Sequence, residues 1–580
     1  MERHLPQALP KNVLQTLPCS LPTSRLHESV DVEGIAKHFV QSLACLSSDI
    51  LSAQPIWRDL FALRGTLRTS YSTHAILRGW STICRSRQAR SGRGFRPNKN
   101  TSWLHVGFKF RVAAAPAAEC HGFLALVLEE DDQWRICTIR TIFELLVGCA
   151  DVDTLPEVDD QDRDFANRTT HVDEHNITNS AHKPTSIRNG TCHTSQSTYY
   201  DAIVAGAGQA GLSTAGRLQT LGVNYLVLES HSKAGENCAV RYESAKLHTP
   251  RDYNQLPFGR IFPSSYPEYL GKHDILRGYK DFIHKYVTRA GREEMITCRH
   301  LVVAVGSGGQ IPIMPIFPNR EDFQGEVLHS VDYSSAEAWA GKRAIVVGTA
   351  NTAHDVSSDM VDAGLKLITM VQRSRTYVIP AEYFKVISDR TYNGTVRIDD
   401  ADREQYSQPP AISRLLGIMS LHAMASKEPE RFDALEKVGF RVERYGDISY
   451  QIIEKMGGHY IDVGCSEKIS KGLIKIKPDA LIPPDVIVFC TGFRGNMRTN
   501  VVELFGRDIA AQVDDFWTLD SEGELKGAFK PTSHPRLWYI WGTIGYCRYF
   551  SRHVALQIKA DLIGTPLPIY NSQRRTGEHC

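Results

Sequence analysis

Apolar residues in this chain gather into short unbroken runs, each followed by a turn and then by a segment with helical spacing. Ala202 to Ala205 is one such run, and after its glycine-rich turn Leu212 to Leu221 repeats apolar residues at the period of a helix. Arg343-Ala-Ile-Val-Val347 is another, and Thr352 to Ala363 predicts the helix that follows it. Each unit then returns to a strand, Tyr225-Leu-Val-Leu-Glu229 in the first and Lys366-Leu-Ile-Thr-Met-Val-Gln372 in the second. The pattern predicts two α/β units with parallel sheets. Upstream, Val32 to Leu46 has helical spacing through Ile35, Phe39, Val40 and Leu43, while Trp103 to Ala113, Gly122 to Leu128 and Trp134 to Leu146 read as strands. One helix and a curved antiparallel sheet are expected there. Asp151 to Thr198 is rich in Asp, Asn, Thr, Ser and His and reads as a polar linker.

The two turns carry the chemistry. In Gly206-Ala-Gly208-Gln209-Ala210-Gly211, the first glycine permits the turn, the second lets backbone approach a pyrophosphate, and the third allows helix and strand to pack closely. The helix N-terminus adds N–H groups and a partial positive charge. Glu229, at the end of the next strand, can accept hydrogen bonds from both hydroxyls of a ribose, as in FAD or NAD. The second turn, Gly348-Thr349-Ala350-Asn351-Thr352-Ala353, has alanine where a second glycine is usual; its methyl group is expected to hold backbone off a pyrophosphate or to forbid a positive φ. Arg373 stands where the first unit has Glu229, and a guanidinium suits the 2′-phosphate of NADP. A solvated arginine at a strand end is the alternative.

Between the turns, Phe323-Gln-Gly325-Glu-Val-Leu-His329-Ser-Val-Asp-Tyr333 resembles the identifying pattern of the flavin-containing monooxygenases, class B enzymes that use FAD and NADPH. Tyr333 in place of Trp is closer to the heteroatom-oxidising and plant auxin-forming branches than to Baeyer-Villiger enzymes. Lys246-Leu-His248-Thr249-Pro250 through Leu256 looks like the family's loop beside the flavin ring, and Phe489-Cys-Thr491-Gly492-Phe493 like its late strand-end motif. Trp538-Tyr-Ile-Trp541 to Lys559 looks like the closing strand and helix.

The resemblance implies Rossmann-like FAD and NADP domains, with Arg241, His248, Thr249, Leu256, Thr491 and Gly492 joining the turn residues at the cofactors. His329 is implied as a supporting residue, with no catalytic side chain assigned. The implied reaction is hydride transfer from NADPH to FAD, then transfer of one oxygen from O₂ to a small organic metabolite through a flavin hydroperoxide. The domains expected are 1–150, an α+β unit similar to the NTF2-like domains of some fungal monooxygenases; 151–198, linker; 199–335 and 480–565, FAD domain; 336–479, NADP domain with insertions; and 566–580, tail. Two departures accompany Ala350. Between Thr288 and Arg299 the family's small meander is reduced to a short stretch, and Gly235-Glu-Asn-Cys238 has Cys where Trp is common. Both could weaken flavin binding, so a non-catalytic scaffold derived from a monooxygenase is the alternative.

Composition narrows the rest. A net charge of +2 over 580 residues gives no general reason to expect nucleic acid. The seven cations between Arg78 and Lys99 read as a solvated insertion. Thirteen cysteines without a C-x-x-C support neither a dithiol reductase nor a zinc site. Sequons at Asn100, Asn167, Asn176, Asn189 and Asn393 read as chance beside an N-terminus without an apolar signal core, and no apolar run is long enough to span a membrane. A cytoplasmic enzyme is expected, with peripheral membrane contact and a homodimer left open.

Overall fold

The computed structural model describes residues 12–22, 26, 30–99, 103–155, 198–231, 234–286, 296–306, 311–477 and 483–570. Most of the polar linker and the shortened stretch after Thr288 lie outside them.

The upstream unit is a six-stranded mixed sheet in the order Leu67–Ser70, Leu51–Leu60, Trp134–Leu146, Ala118–Leu128, Leu104–Val112, Ala89–Lys99. Neighbours are antiparallel except Leu51–Leu60 and Trp134–Leu146, which run parallel. Two helices flank it, Val32–Ser42 and Thr73–Ser86. The second went unread in the sequence although its logic is ordinary: Ser72 caps it by accepting the Ala75 N–H, and Ile76, Trp80 and Ile83 turn one face into the core. Trp80 meets Trp57 edge to face at 5.0 Å between centroids. The expected solvated insertion is corrected here. Its first part ends that helix, where buried Arg87 donates to the carbonyls of Ala115 and Pro116, and its remainder is the edge strand Ala89–Lys99. Charged residues along an edge discourage pairing with other chains, so polarity there is compatible with a strand.

The first dinucleotide-type unit has a four-stranded parallel sheet in the order Leu537–Tyr539, Ile296–Val303, Thr198–Ala205, Tyr225–Leu228. The second has five parallel strands in the order Glu326–His329, Val486–Phe489, Arg343–Val347, Leu367–Val371, Ile474–Lys477. Strands Glu326–His329 and Val486–Phe489 were expected on the first unit's side of the boundaries, but their ladders run to the second: Val486–Phe489 pairs with both Glu326–His329 and Arg343–Val347. Between strands Thr376–Pro380 and Val442–Glu443 the second unit carries four helices, among them Ile398–Ser407 and Pro410–Ala425.

Helix Ile544–Leu562 is buried along most of its length and packs along helix Gln209–Thr220. It also carries charge into the interior. Arg552 donates to Glu144 Oε2 at 2.6 Å and to Asp153 Oδ2 at 2.8 Å, Arg403 reaches Glu144 Oε1 at 3.0 Å, and Arg217 also pairs with Asp153. Burial would push the Glu144 carboxyl up, but Arg552 and Arg403 outweigh it and hold it down at about 2. Arg58, on the upstream sheet, is likewise spent on Glu524 at 2.7 and 2.8 Å and on the carbonyls of Tyr406 and Gln408. Such pairs fix geometry more than they add stability, and removing one partner strands the other.

Candidate active site

Both turns sit at the carboxyl ends of their central strands, where α/β sheets bind ligands, and both open on one cavity of about 2240 Å³. Gly206 has φ +106°, and a Cβ there would meet the Ala304 carbonyl oxygen at 2.6 Å. A Cβ on Gly211 would stand 1.8 Å from the Gly206 carbonyl oxygen, so this glycine is required by the closeness of helix and strand. Gly208 differs. Its backbone is extended, at φ −82° and ψ −168°, and an added Cβ would find nothing within 4 Å. Neither strain nor crowding by the protein demands glycine there. What a side chain would fill is the cavity itself, and this cradle against a helix N-terminus fits a pyrophosphate.

Glu229 borders the cavity with its carboxylate held by two backbone donors, Ala207 N–H at 2.7 Å and His231 N–H at 3.0 Å. Further lone pairs remain for ribose hydroxyls. Gln209 is committed elsewhere, donating to the Gly542 carbonyl at 2.6 Å and accepting from Tyr279 at 3.1 Å. Its side chain ties the turn to the loop before helix Ile544–Leu562. Ala210 is buried beside it and borders the cavity.

At the second turn Gly348 has φ +127°, and a Cβ there would lie 2.5 Å from the Cys490 carbonyl oxygen. Ala350 has φ −94° and ψ −175°, so the expectation that alanine would forbid a required positive φ is corrected: the position is extended and alanine fits without strain. Asn351 and Thr352 border the cavity, Asn351 also accepting the Ile461 N–H at 2.9 Å. Gly348 and Thr349 lie behind it, Thr349 bonded to the Thr376 hydroxyl at 2.6 Å. Arg373 is exposed and outside the cavity wall. Lys455 is close enough that, after burial, the Arg373 charge further depresses its ammonium.

Among the remaining expected residues, Arg241, Thr249 and Gly492 border the cavity. Leu256 is corrected to a core position: it is fully buried among Leu212, Phe262 and Tyr279. Thr491 turns away to donate to the Ile313 carbonyl. His248 reaches the cavity wall, but both ring nitrogens are engaged, Nδ1 with the Ile461 carbonyl at 2.9 Å and Nε2 with Asp355 at 3.1 Å. Asp355 also accepts the Tyr242 hydroxyl at 2.8 Å, so His248 pins a first-unit loop to the second unit's helix. His329 packs edge-on against Phe493, accepts the Val331 N–H, and is pushed below the usual imidazole range by burial. Cys238 borders the cavity where an aromatic was anticipated, its thiol pushed up to about 11 by burial, which suits packing rather than nucleophilic attack. No group of three metal-ligating side chains occurs among the described residues.

Sequence reasoning missed the rest of the wall. Trp517, Trp541, Tyr546 and Phe550 form an aromatic side, helix Pro410–Ala425 adds Leu416, Met419 and Leu421, and the upstream unit contributes Arg58 and Trp103. Trp541, Tyr546 and Phe550 fall within the closing strand-and-helix segment already singled out, but nothing local marks any of these residues as cavity wall, because they meet only through the fold.

A family profile described as pyridine nucleotide-disulphide oxidoreductase matches residues 200–393. The probable indole-3-pyruvate monooxygenase YUCCA9 of Arabidopsis thaliana is 26% identical over 378 residues, covering 58% of this chain and 81% of the relative. The indole-3-pyruvate monooxygenase YUCCA8 of Oryza sativa subsp. japonica is 25% identical over 414 residues, covering 62% and 88%. Among solved structures, a flavin-containing monooxygenase from Stenotrophomonas maltophilia aligns at 16% identity with a TM-score of 0.39, over 63% of this chain and 99% of that one. The plant relatives and the order of motifs along the sequence agree in making the chain similar to flavin-dependent monooxygenases.

Proposed function

We propose that the protein binds FAD at the Gly206–Gly211 turn and NADPH at the Gly348–Ala353 turn, and inserts one atom of O₂ into a small organic metabolite. The observation that carries this reading is a single cavity onto which both turns open and whose far side is aromatic and aliphatic. When bound, FAD supplies the redox chemistry, accepting hydride from NADPH and passing electrons to O₂. The chain's own part is binding, orientation and exclusion of water. Gly208 leaves the pyrophosphate cradle open, Glu229 is held ready for a ribose, and Arg373 with Lys455 makes a positive corner for a 2′-phosphate. His329 props the loop that carries Gly492 and Phe493.

The plant relatives are named for indole-3-pyruvate, a carboxylate. Arg58 on the wall is spent on Glu524 and two carbonyls, and Lys272 on Glu243 and the carbonyls of Ala239 and Arg241, which leaves Arg241, Lys246 and Arg390 as the lining cations that would meet an anionic substrate or a cofactor phosphate. The upstream unit is read as an NTF2-like scaffold that closes one side of the cavity. Purified protein should be yellow and should oxidise NADPH faster with a suitable ketone, amine or thioether, with the oxygenated product identified by mass spectrometry. Colourless protein that takes up no added FAD would favour a non-catalytic scaffold instead.

A further inference from the structure

Three hydroxyls from three separate elements line up on the cavity wall. Tyr406, on helix Ile398–Ser407, donates to the Tyr253 oxygen at 2.8 Å, and the Tyr253 hydroxyl lies 2.8 Å from Thr543 Oγ1. Because Tyr406 spends its proton on Tyr253, the Tyr253 proton is the one available for Thr543. Thr543 Oγ1 also accepts the Tyr546 N–H at 3.3 Å as cap of helix Ile544–Leu562. With its oxygen engaged twice, the Thr543 hydroxyl keeps its own proton for an acceptor elsewhere, and Thr543 is exposed on the cavity wall. A chain polarised in one direction makes its last donor stronger.

The arrangement is built into the surrounding fold. Gly545 is the second residue of its helix, and a Cβ there would stand 2.1 Å from the Tyr406 hydroxyl and 3.0 Å from the Tyr253 hydroxyl. The glycine makes room for the paired hydroxyls. Arg548 fixes the chain from beneath, donating to Asp402 at 2.7 Å and to the carbonyls of Tyr253 and Gln255, while Tyr392 donates to Asp402 and meets the Tyr253 ring edge-on. Phenylalanines would fill the same space without needing partners.

We propose that the Tyr406–Tyr253–Thr543 chain presents one directed hydrogen-bond donor, the Thr543 hydroxyl, to a carbonyl oxygen held in the cavity. The inference rests on the monooxygenase reading for its two sources of that oxygen, a carbonyl of the flavin ring or a carbonyl of the substrate. Tyr253 and Tyr406 act through Thr543 and are positioning residues.

The test uses the full chain as wild type, Tyr253→Phe, Thr543→Val and Thr543→Ser. One arm measures the FAD dissociation constant and the position of the flavin absorbance bands. The other measures, by quenching of tryptophan fluorescence, the preference for 2-acetonaphthone over 2-ethylnaphthalene, probes of similar shape with and without a carbonyl. Tyr253→Phe and Thr543→Val should each lose roughly three- to tenfold in one arm, and Thr543→Ser should retain wild-type behaviour. Loss in the FAD arm identifies the flavin carbonyl, and loss in the ketone arm identifies the substrate. The proposal is overturned if Phe and Val variants match wild type in both arms, or if Thr543→Ser falls as far as Thr543→Val, which would make the methyl group and not the hydroxyl the part that matters. Wild-type protein that binds no FAD refutes the cofactor reading separately, and the ketone arm then decides the proposal.

Discussion

The first and second turns share a backbone and differ in what they carry. Gly206 and Gly348 both have positive φ and both lie against a carbonyl of the neighbouring strand's end, that of Ala304 in one case and Cys490 in the other. Gly208 and Ala350 are both extended and both lead into a helix. The second cradle is narrower by one methyl group, and its helix carries Ala353 where the first has Gly211 pressed on the strand. Glu229, suited to a free ribose, is answered by Arg373, suited to a phosphorylated one. On the proposed reading, one scaffold serves two nucleotides through a few side-chain changes, with the open cradle where a cofactor stays and the methyl-narrowed one where a cosubstrate comes and goes.

The comparison breaks most sharply at Gly208. Gly208→Val should abolish FAD retention while leaving the melting temperature of apoprotein near that of wild type, since the side chain enters open space; full flavin occupancy by absorbance would remove the site assignment. Gly211→Ala should do the reverse of a clean binding defect, destabilising the fold by about 3 kcal/mol in denaturant titrations because the new methyl meets backbone. An unchanged midpoint would mean helix and strand are not pressed together. Arg373→Ala should raise KM for NADPH about tenfold and leave NADH unchanged, and an unaltered NADPH/NADH ratio would end its role.

Acid should weaken both units. Burial holds His459 down at about 4, and His354 is pushed below the usual imidazole value in the same way, whereas His300 in the first sheet is partly compensated by Asp561. A depressed folded value means stability present above the unfolded value of ~6.5 and lost as pH falls toward 4, because the unfolded chain takes the proton first. His553 in the closing helix is likewise pushed well down by burial, so NADP⁺ affinity and flavin retention should both weaken as pH falls from about 6.5 toward about 4. Full retention of either at pH 4 would contradict this. The smallest effect is Ala350→Gly, which should tighten NADP⁺ roughly two- to threefold in equilibrium titrations by widening the second cradle; looser binding would show that the methyl makes a useful contact.

Both turns, their strands and their helices were legible because strand, turn and helix are local and glycine marks its own position. Leu256 was misread because a resemblance transfers position along a loop, not the direction a side chain faces. The edge strand Ala89–Lys99 was hidden by arginine and glycine, which a strand at the rim of a sheet tolerates and a central one does not. Tyr253, Tyr406 and Thr543 left no sequence signal, since their spacing exists only after three distant segments meet. Gly545, the one glycine of the first half of an otherwise buried helix, was the nearest local sign of them.

Glu144 and Asp153 hold arginines from a dinucleotide-unit helix, an insertion helix and the closing helix: Arg217, Arg403 and Arg552. Cutting the chain before residue 199 would take from Arg217 and Arg552 their carboxylate hydrogen-bond partners and leave Arg403 only Asp400, with Asp399 the nearby negative charge that remains. The upstream portion is therefore no detachable accessory: a shortened gene would have to replace buried arginines before it could yield a stable catalytic body.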